Sequence, residues 1–381
     1  MEPKIPLFKI YWDKEDINAV NSVLKRGTYW ATGPEIKEFE ERIAEYVGAK
    51  YAVAFNSGTS ALHAILLAYG IKENDEVIVP SFTFISTANS VLFVRAKPIF
   101  AEIEPETFGL DIQDVENKIT ERTKAIIVVH YAGCSCKNIK EIKKIAEKYK
   151  LLLIEDAAES LGARVGSQMV GTFGDAAMFS FCQTKVVTTG EGGLVVTNSL
   201  DIAQKLKLIV SHGRAEGDYF SSTDKLDYLT LGYNFRMPTM IAALGISQLK
   251  KIDMLIKKRR TIAEKYFMEF SKIKGLKLPI PPNEFLHVYQ MYTIITENKT
   301  IRDKLINYLL ENGIMTKVYF SPIHLTKFYK DTSNFKKGDL PKTEDISNRV
   351  LTLPIYPNMT EEEINYVIEK IKYFFKENSL I

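Results

Sequence analysis

The chain has 381 residues, of which 46% are hydrophobic and 25% are charged, as in an ordinary soluble globular enzyme. Its 50 basic and 47 acidic side chains give a formal net charge of +3, which predicts neither a nucleic-acid partner nor binding to an anionic membrane. Three cysteines are too few for a disulfide framework, and no apolar run is long enough for a signal peptide or a membrane helix. We therefore expect a cytoplasmic protein.

A metal site is suggested only by His130, Cys134 and Cys136, which lie close together in the sequence. Their spacing matches no standard zinc pattern, and no fourth ligand is visible beside them. We predict that the chain binds no metal ion.

The first half of the chain alternates short apolar runs with helical patterns, from residue 50 to about residue 200. The segment NIKEIKKIAEKY, residues 138–149, places isoleucines at helical spacing between two such runs. This alternation predicts an α/β fold with a mostly parallel sheet and helices on both faces. The predicted strands are 51–55, 76–80, 97–103, 124–131, 150–156 and 175–181.

The second half of the chain has a different pattern. Two helical patterns follow each other across residues 237–272, and three prolines within 277–285 then interrupt regular structure. We place a domain boundary near residue 250. The remainder predicts a smaller α+β domain with strand 288–296, helix 301–312, strand 314–320 and a last helix after Thr360.

The segment LLLIEDAAES, residues 151–160, is typical of a buried parallel strand that ends at Asp156. Ligands of open α/β sheets bind outside the carboxyl ends of the strands. A buried carboxylate at such a position needs a cationic partner, and a protonated pyridine nitrogen would be one. An aspartate that only caps the next turn is the alternative.

Lys185 lies between an apolar strand and a glycine-rich loop in FSFCQTKVVTTGEGG, residues 179–193. A lysine amine held on a rigid element can form a Schiff base with an aldehyde cofactor. A solvated surface lysine is the simpler interpretation of Lys185 alone. The upstream strand that ends at Asp156 is an independent signal, and the two together favour the cofactor.

The segment AFNSGTSALHAILLAYG, residues 54–70, predicts a short strand that runs into a helix through Ser57, Gly58, Thr59 and Ser60. The first backbone N–H groups of a helix have no partner within the helix and can bind phosphate. A plain helix N-cap is the alternative.

Together these segments resemble the fold-type I pyridoxal-phosphate enzymes and, more narrowly, the DegT/DnrJ/EryC1/StrS family of nucleotide-sugar aminotransferases, including its perosamine-synthase-like members. The resemblance covers nearly the whole chain. It implies a mostly parallel seven-stranded sheet flanked by helices in a large domain over 14–250, and a small α+β domain over 251–381 that residues 1–13 join. The motifs that carry it are FNSGTSAL, VIVPSFTFISTAN, IEDAAESLGA, FSFCQTKVVTTGEGG, LGYNFRMPTM and GIMTKVYFSPIHL.

The resemblance implies pyridoxal 5'-phosphate as the cofactor. Lys185 matches the lysine that forms the Schiff base and moves a proton, and Asp156 matches the acid that keeps the ring nitrogen protonated. The other cofactor contacts implied by the resemblance are Gly58, Thr59 and Ser180 on the phosphate, Phe84 on the ring face, Glu159 near the phenolic oxygen, and Asn234 from a neighbouring subunit.

A contact from a neighbouring subunit implies a homodimer with a shared active site. The implied reaction moves an amino group from an amino acid, by analogy glutamate, to a nucleotide-linked keto-sugar. Glu159 favours a 4-keto sugar, and a 4-keto-6-deoxy sugar is one candidate of that kind. Family position also makes Trp30, Tyr319 and His324 substrate candidates. For His324, a hydrogen-bonded surface histidine is an equal alternative.

The sequence argues against three other functions. Sugar dehydratases of the same family replace the lysine by histidine, so Lys185 argues against them. A nicotinamide-dependent sugar oxidoreductase would need a G-x-G-x-x-G fingerprint, which the sequence lacks. A cofactor-sensing regulator would need a DNA-binding segment or a lost lysine, and neither is seen.

Overall fold

The computed structural model describes residues 3–215 and 227–378. The strands are β1 Tyr51–Phe55, β2 Glu76–Pro80, β3 Lys97–Ala101, β4 Thr123–Val129, β5 Leu152–Asp156, β6 Arg164–Val165, β7 Gln168–Met169, β8 Ala176–Ser180, β9 Gly193–Thr197, β10 Phe285–Leu286, β11 Tyr292–Ile295 and β12 Val350–Leu353. The α-helices are α1 Lys14–Arg26, α2 Pro34–Val47, α3 Gly58–Ala68, α4 Ser86–Phe93, α5 Ile112–Asn117, α6 Ile139–Tyr149, α7 Leu200–Val210, α8 Thr239–Leu249, α9 Ile252–Phe270, α10 Lys299–Glu311, α11 Lys327–Thr332, α12 Pro341–Arg349 and α13 Glu361–Glu377.

Seven strands form the central sheet in the order β1–β9–β8–β5–β4–β2–β3. Only β9 runs antiparallel to its neighbours, and the remaining pairs are parallel. The predicted α/β fold with a mostly parallel sheet is therefore confirmed, and all six predicted strands are present. The sequence interpretation missed β9, because its GLVVT run follows directly on the glycines of the preceding loop.

Helices cover both faces of this sheet because successive strand residues point to opposite sides. Along β2, Val77 and Val79 pack in the core beneath α3 and α7, whereas Ile78 packs in the core beneath α6. The carboxyl ends of β1, β2, β5 and β8 lie at one edge of the sheet, since these strands run in the same direction.

The smaller unit is built on β11 and β12, which pair antiparallel with Tyr292 opposite Leu353. The predicted strand 314–320 is wrong: this segment forms only isolated bridges, at Ile314 and Lys317. The partner of β11 is β12. This strand begins directly after α12, and no turn residue between them marks its start. Predicted strand 288–296 corresponds to β11, and predicted helix 301–312 corresponds to α10.

Helix α9 packs in two cores. Ile252 and Leu255 belong to the core on the sheet, while Tyr266 and Phe270 belong to the core of the smaller unit. We propose that the division between the two units lies within α9, next to the predicted boundary at residue 250. Helix α13 begins as predicted, with Thr360 as its cap. Within 3–215 and 227–378, no helix is long and apolar enough to cross a membrane.

Candidate active site

A cavity of about 560 Å³ opens at the carboxyl ends of β5 and β8, between the sheet and the smaller unit. It gathers eight of the side chains singled out from the sequence: Gly58, Thr59, Phe84, Asp156, Glu159, Ser180, Lys185 and Tyr319. Its opposite wall includes Leu7, Phe8, Lys317 and Phe320. Segments far apart in sequence meet here, because the parallel strands end at the same edge.

The start of α3 forms one end of the cavity. The Ser57 hydroxyl accepts a hydrogen bond from the Ser60 N–H at 3.1 Å and so caps the helix. Within the described parts of the chain, nothing accepts a hydrogen bond from the N–H groups of Gly58 and Thr59. The Thr59 and Ser86 hydroxyls lie 2.8 Å apart beside them. Free N–H groups, hydroxyls and the positive end of a helix form a site for an anion.

Gly58 has a steric reason to be glycine. A Cβ atom at this position would lie 2.9 Å from Met178 Sδ and 3.2 Å from Ser180 Cβ. The missing side chain lets the start of α3 approach the end of β8. The hydroxyl of Ser180 thereby comes to line the same cavity as Thr59.

Asp156 is the last residue of β5 and is buried. Thr87 Oγ1 donates a hydrogen bond to its Oδ2 at 2.8 Å, and the Ala158 N–H donates to its Oδ1 at 3.2 Å. Burial raises the pKa of Asp156 above its ordinary value, and the bond from Thr87, the Ala158 N–H and the nearby Lys185 charge oppose that rise. Two hydrogen bonds therefore stabilise the Asp156 carboxylate. A further cation beside it would stabilise its ionised form more.

Lys185 and Glu159 form a half-buried pair, with Lys185 Nζ 3.7 Å from Glu159 Oε1. Their side chains are only 16% and 10% exposed. The Ala132 N–H donates to Glu159 Oε2 at 2.7 Å. Burial raises the pKa of Glu159, and the Lys185 charge is the main influence against that rise. Lys185 is therefore not the solvated surface lysine of the simpler interpretation.

The charges of this cavity fit pyridoxal phosphate. Two carboxylates, Asp156 and Glu159, lie near the single ammonium of Lys185, so a ligand that brings a further positive charge is favoured. The start of α3 favours an anion in the same cavity. A ring with a protonable nitrogen and a phosphate supplies both charges, and Lys185 supplies the amine for its aldehyde.

Three candidate residues do not line the cavity. Trp30 is exposed, and its Nε1 donates to the Val23 carbonyl. Asn234 is exposed, and its carbonyl accepts a hydrogen bond from the Asn56 side chain. His324 is buried between Ser81 and Glu344, with Nδ1 2.7 Å from the Ser81 hydroxyl and Nε2 3.2 Å from Glu344 Oε1. His324 is thus hydrogen-bonded, but it does not lie on the surface.

The region around His130 also differs from a metal site. His130 Nε2 lies 2.9 Å from Glu155 Oε2, and its Nδ1 accepts the Cys136 N–H at 3.0 Å. Among the described residues, no group of three or more His, Cys, Asp or Glu side chains is arranged to hold a metal ion. Burial raises the pKa of both Cys134 and Cys136 to about 12, which disfavours the thiolate form that binds metals and attacks electrophiles.

Three cavity residues were missed from the sequence. Thr87 supports Asp156, Gln290 Nε2 donates a hydrogen bond to the Thr184 carbonyl next to Lys185, and Lys317 lines the far wall. Thr87 stands inside the VIVPSFTFISTAN motif, so attention to hydroxyls in that motif would have found it. Lys317 stands inside the GIMTKVYFSPIHL motif, beside the substrate candidate Tyr319, whereas Gln290 belongs to none of the motifs.

Comparison with known proteins agrees with these features. The sequence profile described as the DegT/DnrJ/EryC1/StrS aminotransferase family matches residues 11–372. GDP-perosamine synthase of Vibrio cholerae is 34% identical, over 97% of this chain and 99% of its own. UDP-4-amino-4-deoxy-L-arabinose–oxoglutarate aminotransferase of Shewanella sediminis is also 34% identical, over 96% of this chain and 97% of its own.

A solved structure shares the fold. The PLP form of the putative sugar aminotransferase Spr1654 from Streptococcus pneumoniae superposes with a TM-score of 0.91, at 26% identity over 99% of both chains. The family profile spans nearly the whole chain, and the cavity supplies the groups that this cofactor needs. The chain therefore belongs to the DegT/DnrJ/EryC1/StrS aminotransferase family and is a pyridoxal-phosphate-dependent sugar aminotransferase.

Proposed function

We propose that the enzyme moves an amino group from glutamate to the keto carbon of a nucleotide-linked sugar, with a 4-keto-6-deoxy sugar as the first candidate. The observation that carries this proposal is the enclosed Lys185 amine, 3.7 Å from the Glu159 carboxylate in a cavity that also holds Asp156. The names of the two relatives support it, since both contain a nucleotide sugar and one names oxoglutarate, the keto acid that glutamate becomes.

Pyridoxal phosphate supplies an aldehyde and an electron-withdrawing ring. In this proposal Lys185 Nζ would hold the aldehyde carbon in place of its oxygen, which would leave as water, and the same nitrogen would later carry a proton. Asp156 holds the proton on the ring nitrogen, and Thr87 keeps that carboxylate ionised by donating to it at 2.8 Å. Gly58, Thr59 and Ser180 bind the phosphate.

Two further side chains orient the ring in this proposal. Phe84 lines the cavity with 60% of its surface exposed, so it has a free aromatic face to pack on the ring. Glu159 would lie on the phenolic side of the ring, as the family resemblance implies. Its bond from the Ala132 N–H fixes its orientation.

We propose that the enzyme is a homodimer whose sites are completed by Asn234 of the second copy. Asn234 is solvent-exposed and lies outside the cavity of its own chain, so it is available to another. The nearby Tyr228, Leu229 and Leu231 are also exposed, and Leu231 reaches 79%. Apolar side chains of this size concentrated in one segment support a contact with a second copy. Trp30 is a second candidate for such a contact.

Hybrid dimers test the shared site. Lys185→Ala and Asn234→Ala chains are each expected to be inactive alone, because each lacks one component of every site. Mixed and re-associated, they are expected to regain part of the activity, since one site in a hybrid then has both residues. A mixture that stays inactive, although sizing shows that hybrids have formed, would contradict the proposal.

The reaction is tested directly with purified protein, pyridoxal phosphate, glutamate and a panel of keto-sugar nucleotides. We expect an amino-sugar nucleotide and an equal amount of 2-oxoglutarate, both detected by mass spectrometry. Lys185→Ala is expected to give neither product, and borohydride is expected to fix the cofactor to the wild type only. Borohydride-reducible cofactor in the Lys185→Ala protein would show that another amine binds it.

A further inference from the structure

Few basic side chains line the cavity. Lys185 and Lys317 are the two basic side chains among the described residues that line it. Lys185 is enclosed beside Glu159 and is committed to the cofactor. Both substrates of the proposed reaction are anions, so Lys317 is the one cavity-lining cation of the described chain still available to bind them.

Lys317 is held in place although its side chain is exposed. Its backbone bridges to Thr352 of β12, with the Thr352 N–H donating to the Lys317 carbonyl at 2.9 Å. Its Nζ lies 4.7 Å from the centre of the Tyr319 ring, a cation–π contact that directs the ammonium along the cavity wall. No carboxylate within 3–215 or 227–378 forms an ion pair with it, so its charge is not neutralised.

The shape of the substrate determines which anionic group reaches Lys317. In a 4-keto sugar the keto carbon lies across the ring from C1, which carries the nucleoside diphosphate. When the keto carbon reaches the enclosed Lys185, the diphosphate therefore points toward the open end of the cavity. The donor carboxylate is bonded to the reacting carbon itself, so it stays near Lys185 and away from the exposed mouth.

We propose that Lys317 binds the diphosphate of the sugar nucleotide and thereby makes the enzyme selective for nucleotide-linked over free sugars. This inference rests on the proposed function for its substrate. A charge-assisted contact of this type changes affinity about 10- to 100-fold. Because the lysine is exposed, added salt screens part of that effect.

The test uses binding rather than turnover. Cofactor-loaded wild type, Lys317→Met and Lys317→Arg are titrated calorimetrically with UDP, GDP and inorganic pyrophosphate at low and high salt. Lys327→Met is the matched control, since Lys327 is a 91% exposed lysine that does not line the cavity. Conversion of the cofactor by glutamate is followed separately by absorbance, which gives the donor's apparent affinity.

For Lys317→Met we expect Kd for the tightest of these ligands to rise about 10- to 100-fold, with partial recovery in Lys317→Arg and no change in Lys327→Met. Donor affinity is expected to stay within about twofold, because the carboxylate lies elsewhere. Unchanged diphosphate affinity in Lys317→Met overturns the proposal. The proposal is also overturned if the wild type binds none of the three ligands, or if Lys317→Met loses affinity for glutamate alone.

The result also separates this inference from the proposed reaction. If Lys317→Met loses nucleoside-diphosphate affinity while the wild type aminates no keto-sugar in the panel, Lys317 stands as a diphosphate contact and the proposed reaction fails. If the wild type aminates a sugar nucleotide and Lys317→Met binds diphosphates normally, the reaction stands and the role of Lys317 fails.

Discussion

Replacing Thr87 with valine removes one hydroxyl and leaves a side chain of nearly the same shape. Thr87 is fully buried, and its Oγ1 donates to Asp156 Oδ2 at 2.8 Å. After the substitution, the Asp156 carboxylate keeps only the longer bond from the Ala158 N–H, at 3.2 Å. Water cannot readily replace the missing donor, because the Thr87 position is buried.

The expected size of the effect follows from this geometry. A hydrogen bond to a charged group contributes about 1.5–3 kcal/mol, which is about 10- to 100-fold in the equilibrium between the carboxylate and the protonated acid. Burial already raises the pKa of Asp156, and the Thr87 bond opposes that rise. Loss of the bond therefore raises the pKa of Asp156 further, and the ionised form proposed to support catalysis is lost at a higher pH than in the wild type.

The assay is kcat/KM against pH for the cofactor-loaded enzyme. We expect the acid limb of the Thr87→Val profile to move to higher pH, with the neutral-pH rate less affected. Ser90→Ala is the matched control, since Ser90 is another buried hydroxyl of α4 that bonds a backbone carbonyl instead of Asp156. Superimposable acid limbs for wild type and Thr87→Val would refute the assignment of Thr87 as the support of Asp156.

Two further predictions concern α3 and α13. Gly58→Ala is expected to weaken cofactor binding about tenfold or more in equilibrium dialysis, because its Cβ would lie 3.2 Å from Ser180 Cβ and displace the N–H groups proposed to bind the phosphate. Unchanged affinity would show that α3 can shift without cost. Thr360→Ala removes the capping box of α13 and is expected to lower the free energy of unfolding by about 1 kcal/mol in urea titrations, with KM unchanged; equal midpoints would mean that the cap contributes nothing to stability.

Most of the fold was predictable because its strands are continuous apolar runs separated by helical patterns. Buried parallel strands have this signature whatever lies around them. The wrong and missed strands are those whose formation depends on pairing with another strand and not on a local apolar run. The GLVVT run of β9 follows glycines, and the VLTL run of β12 follows a helix with no intervening turn. The local sequence therefore gives no signal for either strand. Segment 314–320 has strand-like residues, but β12 pairs with β11, and this segment forms only isolated bridges, at Ile314 and Lys317.

Some residues of the candidate site were also predictable from the sequence, and others were not. Lys185, Asp156 and the start of α3 were predictable because each stands beside a strand end within a recognisable motif. Thr87 donates a hydrogen bond to Asp156, 69 positions away in the sequence, and Gln290 donates one to the carbonyl of Thr184, which precedes Lys185 and is 106 positions away. No spacing rule connects such positions. The available charge of Lys317 likewise follows from what surrounds it in space, which only the folded chain reveals.

Helix α9 limits how the enzyme can open. Its 19 residues form a helix about 28 Å long with its first turns fixed in one core and its last turns fixed in the other. A hinge between the two units would have to break this helix or pull Tyr266 and Phe270 out of their packing. We therefore expect the nucleotide of the proposed substrate to enter through rearrangement of side chains at the rim, and not through a wide swing of the smaller unit against the sheet.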